Sequence, residues 1–311
     1  MIFPQIKLLD IAGPLQVFTD ACRESRAQYE VTVVSLTGGK IATDTVLPVT
    51  ASAAKPWRNR SIDTLIVAGG NGSRAASRNA KLVSAVRQMA SRSRRVGSVC
   101  SGAFVTAAAG LLDNRRAVTH WDACAELAET YPKIRVETDP IYIKDGNVWS
   151  SAGVTAGIDM ALAMVAEDFG KAASLAVARS LVSFMVRPGG QSQFSAALVS
   201  QSADTRGQFD DLHGWILGNL KSDLSVERLA AIAKMSSRNF SRIYASEIGI
   251  SPAKAVEAFR LEAARRLLED TSYSIKEVAR TCGFGDEERL RRSMQRSLHV
   301  SPSDYRQRFA L

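Results

Sequence analysis

Between residues 28 and 170, short runs of β-branched and other apolar residues alternate with stretches whose apolar positions recur at helical spacing. YEVTVVSL (29–36), IDTLIVAGG (62–70) and RRVGSVC (94–100) predict strands, whereas AKLVSAVRQMASRS (80–93) and DACAELAETY (122–131) predict amphipathic helices. Strands that alternate with helices form a parallel sheet covered on both faces, and such sheets take ligands beyond the carboxyl ends of their strands. Gly69-Gly70 and Cys100 fall at two of those ends.

After a further helix at about 171–186 the periodicity breaks in RPGGQSQFSAALVSQSADTRG (187–207), where Pro, Gly, Gln and Ser displace the apolar pattern. The expected organisation is therefore a domain at 1–186, a linker at 187–205 and a second domain at 206–311. The second domain reads as all-helical and carries an internal repeat: LSVERLAAIAKMSSRNFSRIYASEIGISP (224–252) aligns with YSIKEVARTCGFGDEERLRRSMQRSLHVSP (273–302). Each copy reads as a short helix with Leu229-Ala230 or Val278-Ala279 inward, a tight turn and a second helix. Between them Val256, Phe259, Ala263 and Leu267 keep helical spacing and predict one long connecting helix. Two linked helix-turn-helix units result.

At 311 residues and 46% hydrophobic, the chain is long enough for two domains with separate cores. Its formal charge of +9 permits a polyanionic partner. Lys+Arg against Asp+Glu is 22 to 17 in residues 1–205 and 18 to 14 in 206–311, so charge alone does not locate a nucleic-acid face. Cys22, Cys100, Cys124 and Cys282 show no C-x-x-C pairing, and no signal-peptide pattern precedes them. Neither a zinc site nor a disulfide framework is indicated, and a cytoplasmic location is expected. Cys22, Cys124 and Cys282 lie in helical patterns and read as small core fillers. No apolar run approaches the ~20 residues of a membrane helix.

The stretch VGSVCSGAF (96–104) places Cys100 on a strand-to-helix turn with Ser98 and Gly102 at minus two and plus two, the layout of a nucleophile elbow. A thiol aimed at a helix N-terminus is expected to favour thiolate. The same nine residues are equally compatible with a small buried apolar side chain.

Five segments, LLDIAGPLQVF (8–18), IVAGGNG (66–72), VGSVCSGAFVTAAAGLL (96–112), VTHWDACAEL (118–127) and AGVTAGIDMAL (152–162), stand in the order and spacing of the PfpI-like family. That family is a flavodoxin-like relative of the class I glutamine amidotransferases and includes isocyanide hydratases. The resemblance implies an α/β flavodoxin-like N-terminal domain. It also implies a reactive Cys100, an Asp10 carboxyl hydrogen-bonded to its sulfur, and an anion pocket from the backbone N–H groups of Gly70 and Ser101, with His120 nearby. Asp10 also suits an N-cap, and His120, between a β-branched pair and Trp121, suits a packed core imidazole as well as a general base. No triad is built on it. Family members carry an apolar strand directly before this F-P, whereas only Met1-Ile2-Phe3 precede Pro4 here. Because that strand is interior to the sheet, two open strand edges are expected unless the chain starts further upstream.

The repeat half resembles the AraC-type DNA-binding domain through the S-P after each second helix, R-L-E-x-A-R-x-L-L in the connecting helix, V-A-x-x-C-G-F, and the closing S-P-S-x-Y-R-x-R-F. Met294 stands where that family prefers Phe, and His299 where it prefers Gly; Met fills a similar pocket and His tolerates positive φ. The resemblance puts one reading helix at 236–245 with Arg238, Ser241 and Arg242 outward, and another at 286–296 with Glu287, Glu288, Arg289, Arg291 and Arg292 outward. Arginine can bind guanine bidentately and carboxylates can accept from cytosine. Asp286, Glu287 and Glu288 equally suit the helix dipole, and any one arginine equally suits phosphate.

A PfpI-like domain joined to an AraC-type domain is similar to the GlxA-type transcription regulators, in which the first domain senses a metabolite; arginine, betaine and carnitine regulators share the architecture. The resemblance implies double-stranded promoter DNA, a small nitrogen-containing effector, RNA polymerase and a second copy of the chain as partners, with no cofactor, metal or membrane. Cysteine-dependent hydratase-type activity is the alternative, and a redox sensor at Cys100 a third, with no resolving cysteine placed beside it.

Overall fold

The computed structural model describes residues 1–24, 28–182 and 208–309. The chain divides into two compact units, Met1–Gly189 and Gly190–Leu311. The expected linker at 187–205 lies outside the described residues.

The first unit is a flavodoxin-like α/β domain. Helix α1 (Leu8–Glu24) precedes strands β1 (Val34–Ser35), β2 (Gly39–Ile41), β3 (Val49–Ala53) and β4 (Ile62–Val67), helices α2 (Ser73–Arg78) and α3 (Ala80–Ala90), and strand β5 (Ser93–Val99). Next come α4 (Ala103–Ala108), β6 (Arg116–Ala117), α5 (Cys124–Thr130), β7 (Arg135–Val136), β8 (Tyr142–Asp145), β9 (Val148–Ser151), α6 (Thr155–Phe169) and α7 (Lys171–Ser180). Strands β4, β5 and β9 run parallel in the order β4-β5-β9-β8, with β8 antiparallel at the edge, and β1-β3-β2 form a separate ladder. Helices α1, α6 and α7 pack together over one face, and α2, α3 and α4 over the other. Apolar residues bury on both faces of β4 and β5 because neither face meets water.

The strand expected at 29–36 narrows to Val34–Ser35. Its one side bonds to β3, while the other side of residues 28–33 borders an open groove. A β-branched run without a ladder partner keeps the propensity but loses the pairing that defines a strand. Cys124 and Cys282 are buried as expected, but Cys22 is exposed at the end of α1. There its sulfur accepts from the Tyr29 N–H at 3.3 Å, so it fills no core.

The second unit is all-helical: α8 (Asp210–Gly218), α9 (Val226–Ile232), α10 (Ser237–Ile248), α11 (Pro252–Asp270), α12 (Ile275–Thr281), α13 (Glu287–Leu298) and α14 (Pro302–Phe309). Ser225, Ser236, Ser251, Ser274 and Asp286 cap the starts of α9 to α13, each side chain accepting a backbone N–H of the first turn. The connecting helix α11 gives Val256 and Phe259 to the core of the first helix-turn-helix unit and Leu261, Ala264 and Leu268 to that of the second. One rigid axis therefore carries both units. The repeat left α8 unforeseen: Phe209, Leu212 and Ile216 close the first core, and His213 Nε2 meets the Tyr244 hydroxyl at 2.9 Å.

Candidate functional sites

Strand β5 ends at Val99, and Cys100 after it adopts φ +54° and starts the single turn Cys100–Gly102 before α4. A non-glycine residue in this region is strained, and the surroundings must hold it. Thr119 Oγ1 donates to the Cys100 carbonyl at 2.9 Å. A Cβ on Gly153 would lie 2.2 Å from the Cys100 Cβ, and one on Gly69 would lie 2.7 Å from the Ser101 nitrogen. Backbone presses on the elbow from both sides, which is why the chain is small there.

Asp10 sits in the first turn of α1, 1% exposed, and its Oδ1 accepts from the Val154 N–H at 2.8 Å. Its carboxyl also meets the Cys100 thiol. Burial raises the Asp10 pKa despite these bonds. Burial, and then the Asp10 charge, push the Cys100 thiol up to about 12 against the pull of the Ser101 N–H. Cys100 is thus a thiol at neutral pH, not the thiolate expected from its turn. Desolvation together with an adjacent carboxylate outweighs one favourable N–H and the short α4.

The two amides expected to form an anion pocket have different partners. The Ser101 N–H serves the sulfur, whereas the Gly70 N–H donates to Ser101 Oγ at 3.0 Å. Ser101 Oγ in turn lies 2.8 Å from Ser73 Oγ, which donates to the Gly70 carbonyl at 2.6 Å. Gly70 needs its lack of a side chain, since at φ +135° a Cβ would meet the Lys7 nitrogen at 2.3 Å. His120 is half-buried and places Nδ1 2.6 Å from Asp122 Oδ1, with its ring tilted against Trp121 at 5.5 Å. The fold thus gathers Asp10, Gly70, Cys100 and Ser101, and sets His120 one residue beyond the Thr119 anchor.

Two contributors escaped the sequence reading. The Val154 N–H, which orients Asp10, comes from the quoted A-G-V-T segment, but nothing in that string names its partner. Arg74 lays its guanidinium 4.3 Å from the centre of the Phe104 ring and bonds both Glu126 oxygens. In sequence Arg74 is only a polar residue on a short helix. Among the described residues no group of three His, Cys, Asp or Glu side chains is arranged to hold a metal ion.

In the second unit Arg238 and Arg242 are exposed on α10 and Ser241 is half-buried beside them. Arg242 Nη2 donates to Asn239 Oδ1 at 3.0 Å. On α13, Glu287, Glu288, Arg289, Arg291 and Arg292 are all exposed. Glu288 accepts from Arg291 at 2.7 and 2.8 Å and from Arg292 at 2.9 Å, and these guanidiniums hold its carboxyl down to about 2. Asp286 is the helix cap, accepting from the Arg289 N–H at 2.8 Å. Met294 is fully buried in the second core, and His299 takes the left-handed position at φ +54° that Gly249 takes at φ +79° in the first copy.

Residues 1–167, more than half of the chain, match the DJ-1/PfpI family. The chain belongs to that family. Residues 229–308 of this DJ-1/PfpI protein match a helix-turn-helix domain. Over 91% of its length the chain is 28% identical to the HTH-type transcriptional regulator GlxA of Rhizobium meliloti, of which it covers 86%. It is also 34% identical to the isonitrile hydratase of Pseudomonas putida over 55% of its length and 71% of that enzyme's. The crystal structure of a ThiJ/PfpI family protein from Pseudomonas syringae shares the fold, with a TM-score of 0.53 and 22% identity over 80% of this chain and 88% of that one. This DJ-1/PfpI protein is a DNA-binding transcription regulator with an AraC-type helix-turn-helix domain. Among its described residues no helix is long and apolar enough to cross a membrane.

Proposed function

We propose that the protein binds promoter DNA in the cytoplasm through α10 and α13, and that its DJ-1/PfpI domain senses a small nitrogen-containing metabolite at Asp10, Gly70, Cys100, Ser101 and His120. The observation that carries the sensor reading is the Asp10–Cys100 pair. Its thiol keeps its proton at neutral pH, in a chain that also bears two reading helices. A buried thiol beside a carboxylate recognises a ligand by hydrogen bonding and shape, and has little of the thiolate that nucleophilic attack needs.

A thermal-shift screen of amino acids, quaternary amines and other nitrogen metabolites tests the reading, since a ligand of the folded state raises stability by RT ln(1 + [L]/Kd). A hit is expected whose affinity changes in Cys100→Ser while the variant still folds and binds DNA, and mass spectrometry should recover the metabolite unchanged after prolonged incubation. The strained elbow at φ +54° favours a second reading, a retained hydratase-type activity. Conversion beyond stoichiometry that disappears in Cys100→Ser would establish that activity and overturn the sensor-only reading.

A further inference from the structure

The two helix-turn-helix units have separate cores, and neighbouring residues of α11 serve different ones: Phe259 the first and Leu261 the second. Arg260, between them, belongs to neither and is half-buried. Its Nε donates to the Leu220 carbonyl at 3.1 Å and its Nη2 to the Ser222 carbonyl at 3.3 Å, both in the loop that joins α8 to α9 in the first unit. That loop is itself tied down. The Ser222 N–H donates to the Asn219 carbonyl at 2.9 Å, and Asp223 accepts from the Ser225 N–H at 2.9 Å and from its hydroxyl at 3.0 Å. One turn earlier on α11, Glu257 accepts from Ser293 Oγ and Arg296 Nη2 of α13. The stretch 257–260 of α11 therefore grips a loop of the first unit and the second helix of the second.

The units also touch, and the two copies of the repeat differ at the contact. Lys234 and Gly283 hold the same place in the two turns. In the first copy Lys234 and Met235 donate to the Ala231 and Ala230 carbonyls at 3.1 and 2.9 Å; in the second Gly283 and Phe284 donate to the Arg280 and Ala279 carbonyls at 3.3 and 2.9 Å. Both residues are left-handed, at φ +55° and +78°. The turn as such thus accepts a side chain. At Gly283, however, a Cβ would lie 1.9 Å from the Leu220 carbonyl oxygen and 2.7 Å from Arg260 Nε. Glycine is needed there because a carbonyl of the first unit reaches the turn of the second. The same oxygen is the one that Arg260 bonds, so α11 and both units meet at a single atom.

We propose that Arg260 is a positioning residue for DNA recognition, a strut that with the Gly283 turn locks the two units at one setting, so that the protein selects operators by the spacing of their two recognition segments as well as by their bases. Its importance rests on the proposed reading of DNA through α10 and α13. One base pair more or fewer between the segments moves the second by ~3.4 Å and turns it by about 35°. A rigid pair of units cannot follow that displacement, whereas units that rock about α11 can. Rigidity also raises the effective concentration of the second reading helix once the first has docked, and rocking lowers it.

The test uses the full chain and a duplex that it selects from a random pool. Three derivatives of that duplex have one base pair added between the recognition segments, one removed, or one segment replaced by unrelated sequence. The wild type is expected to bind the two duplexes of altered spacing about tenfold or more weaker than the parent. Arg260→Met keeps the stem of the side chain and removes its donors. It is expected to lose about tenfold on the parent duplex, to reduce the spacing penalty to about threefold or less, and to bind the one-segment duplex as the wild type does. Arg260→Lys, which keeps a donor for Leu220, should restore part of the penalty. Gly283→Ala, which pushes the turn off Leu220, should weaken the penalty as Arg260→Met does, and it carries the test if Arg260→Met melts below the assay temperature. An undiminished penalty, equal losses on every duplex, or a wild type indifferent to spacing would overturn the proposal. Arg242→Ala and Arg292→Ala run alongside. If neither weakens the parent duplex, the reading through α10 and α13 falls and the strut with it; if both weaken it while Arg260→Met keeps the full spacing penalty, the strut alone falls.

Discussion

Cys100 and Asp10 meet across 90 residues of chain, and each changes what the other does. The carboxylate raises the thiol pKa by its charge and by accepting the S–H hydrogen bond, on top of the larger effect of burial. Alkylation rate follows the thiolate fraction, so for Cys100 it should climb steadily with pH towards about 12. Asp10→Asn keeps an acceptor for the Val154 N–H but removes the charge, which shifts that rise to lower pH. A fall of half a unit makes Cys100 alkylate about threefold faster at pH 9. Mass spectrometry of the Cys100 peptide, with exposed Cys22 as an internal reference, measures it. An unchanged or slower rate in Asp10→Asn would show that the carboxylate does not hold the thiol up. The elbow itself was legible in VGSVCSGAF, because small flanking residues betray close backbone passage. Its protonation state was not, because it depends on enclosure and on a carboxylate from a distant helix.

At the scale of elements, the helix-turn-helix repeat was readable almost helix by helix. Caps, turn glycines and apolar spacing are local signals, and α9 to α13 follow them; α14 was not among the expected helices. The two departures also fit: Met294 fills the second core, and His299 closes α13 in the left-handed conformation that the first copy assigns to Gly249. The arrangement of charge on α13 was not readable. Glu288 occupies Arg291 and Arg292 in the free protein, so a base or phosphate must compete with a carboxylate for them. On α10, Arg242 donates to the neutral Asn239 side chain and is more readily released. Bidentate base contacts are worth about 1–3 kcal/mol each, so Arg242→Ala and Arg292→Ala should each weaken operator binding about tenfold or more, with smaller losses on non-specific DNA. Titration of both DNAs at fixed salt decides this. Equal losses on both would assign the two arginines to phosphate.

For the whole molecule, the sensing proposed for the DJ-1/PfpI domain acts on the DNA-binding domain only if ligand and operator change each other's affinity. Linkage requires the two changes to be the same factor, typically 5- to 150-fold in such systems. With the metabolite found by thermal shift, calorimetry of its binding with and without operator, and DNA titration with and without metabolite, should give matching ratios. Ratios of one in both directions would separate the two domains functionally. The order of motifs, the α/β and all-α classes, the paired helix-turn-helix units and the elbow cysteine follow from the sequence by itself, because periodicity, caps and small-residue turns act over a few positions. Three features needed the folded chain. Residues 29–33 have strand composition but no ladder neighbour on one side; the Gly70 amide is taken by a serine hydroxyl 31 residues away; and Cys100 keeps its proton through burial beside Asp10. Hydrogen-bond partners and dielectric surroundings come from residues far apart in sequence, so tertiary structure alone decides them.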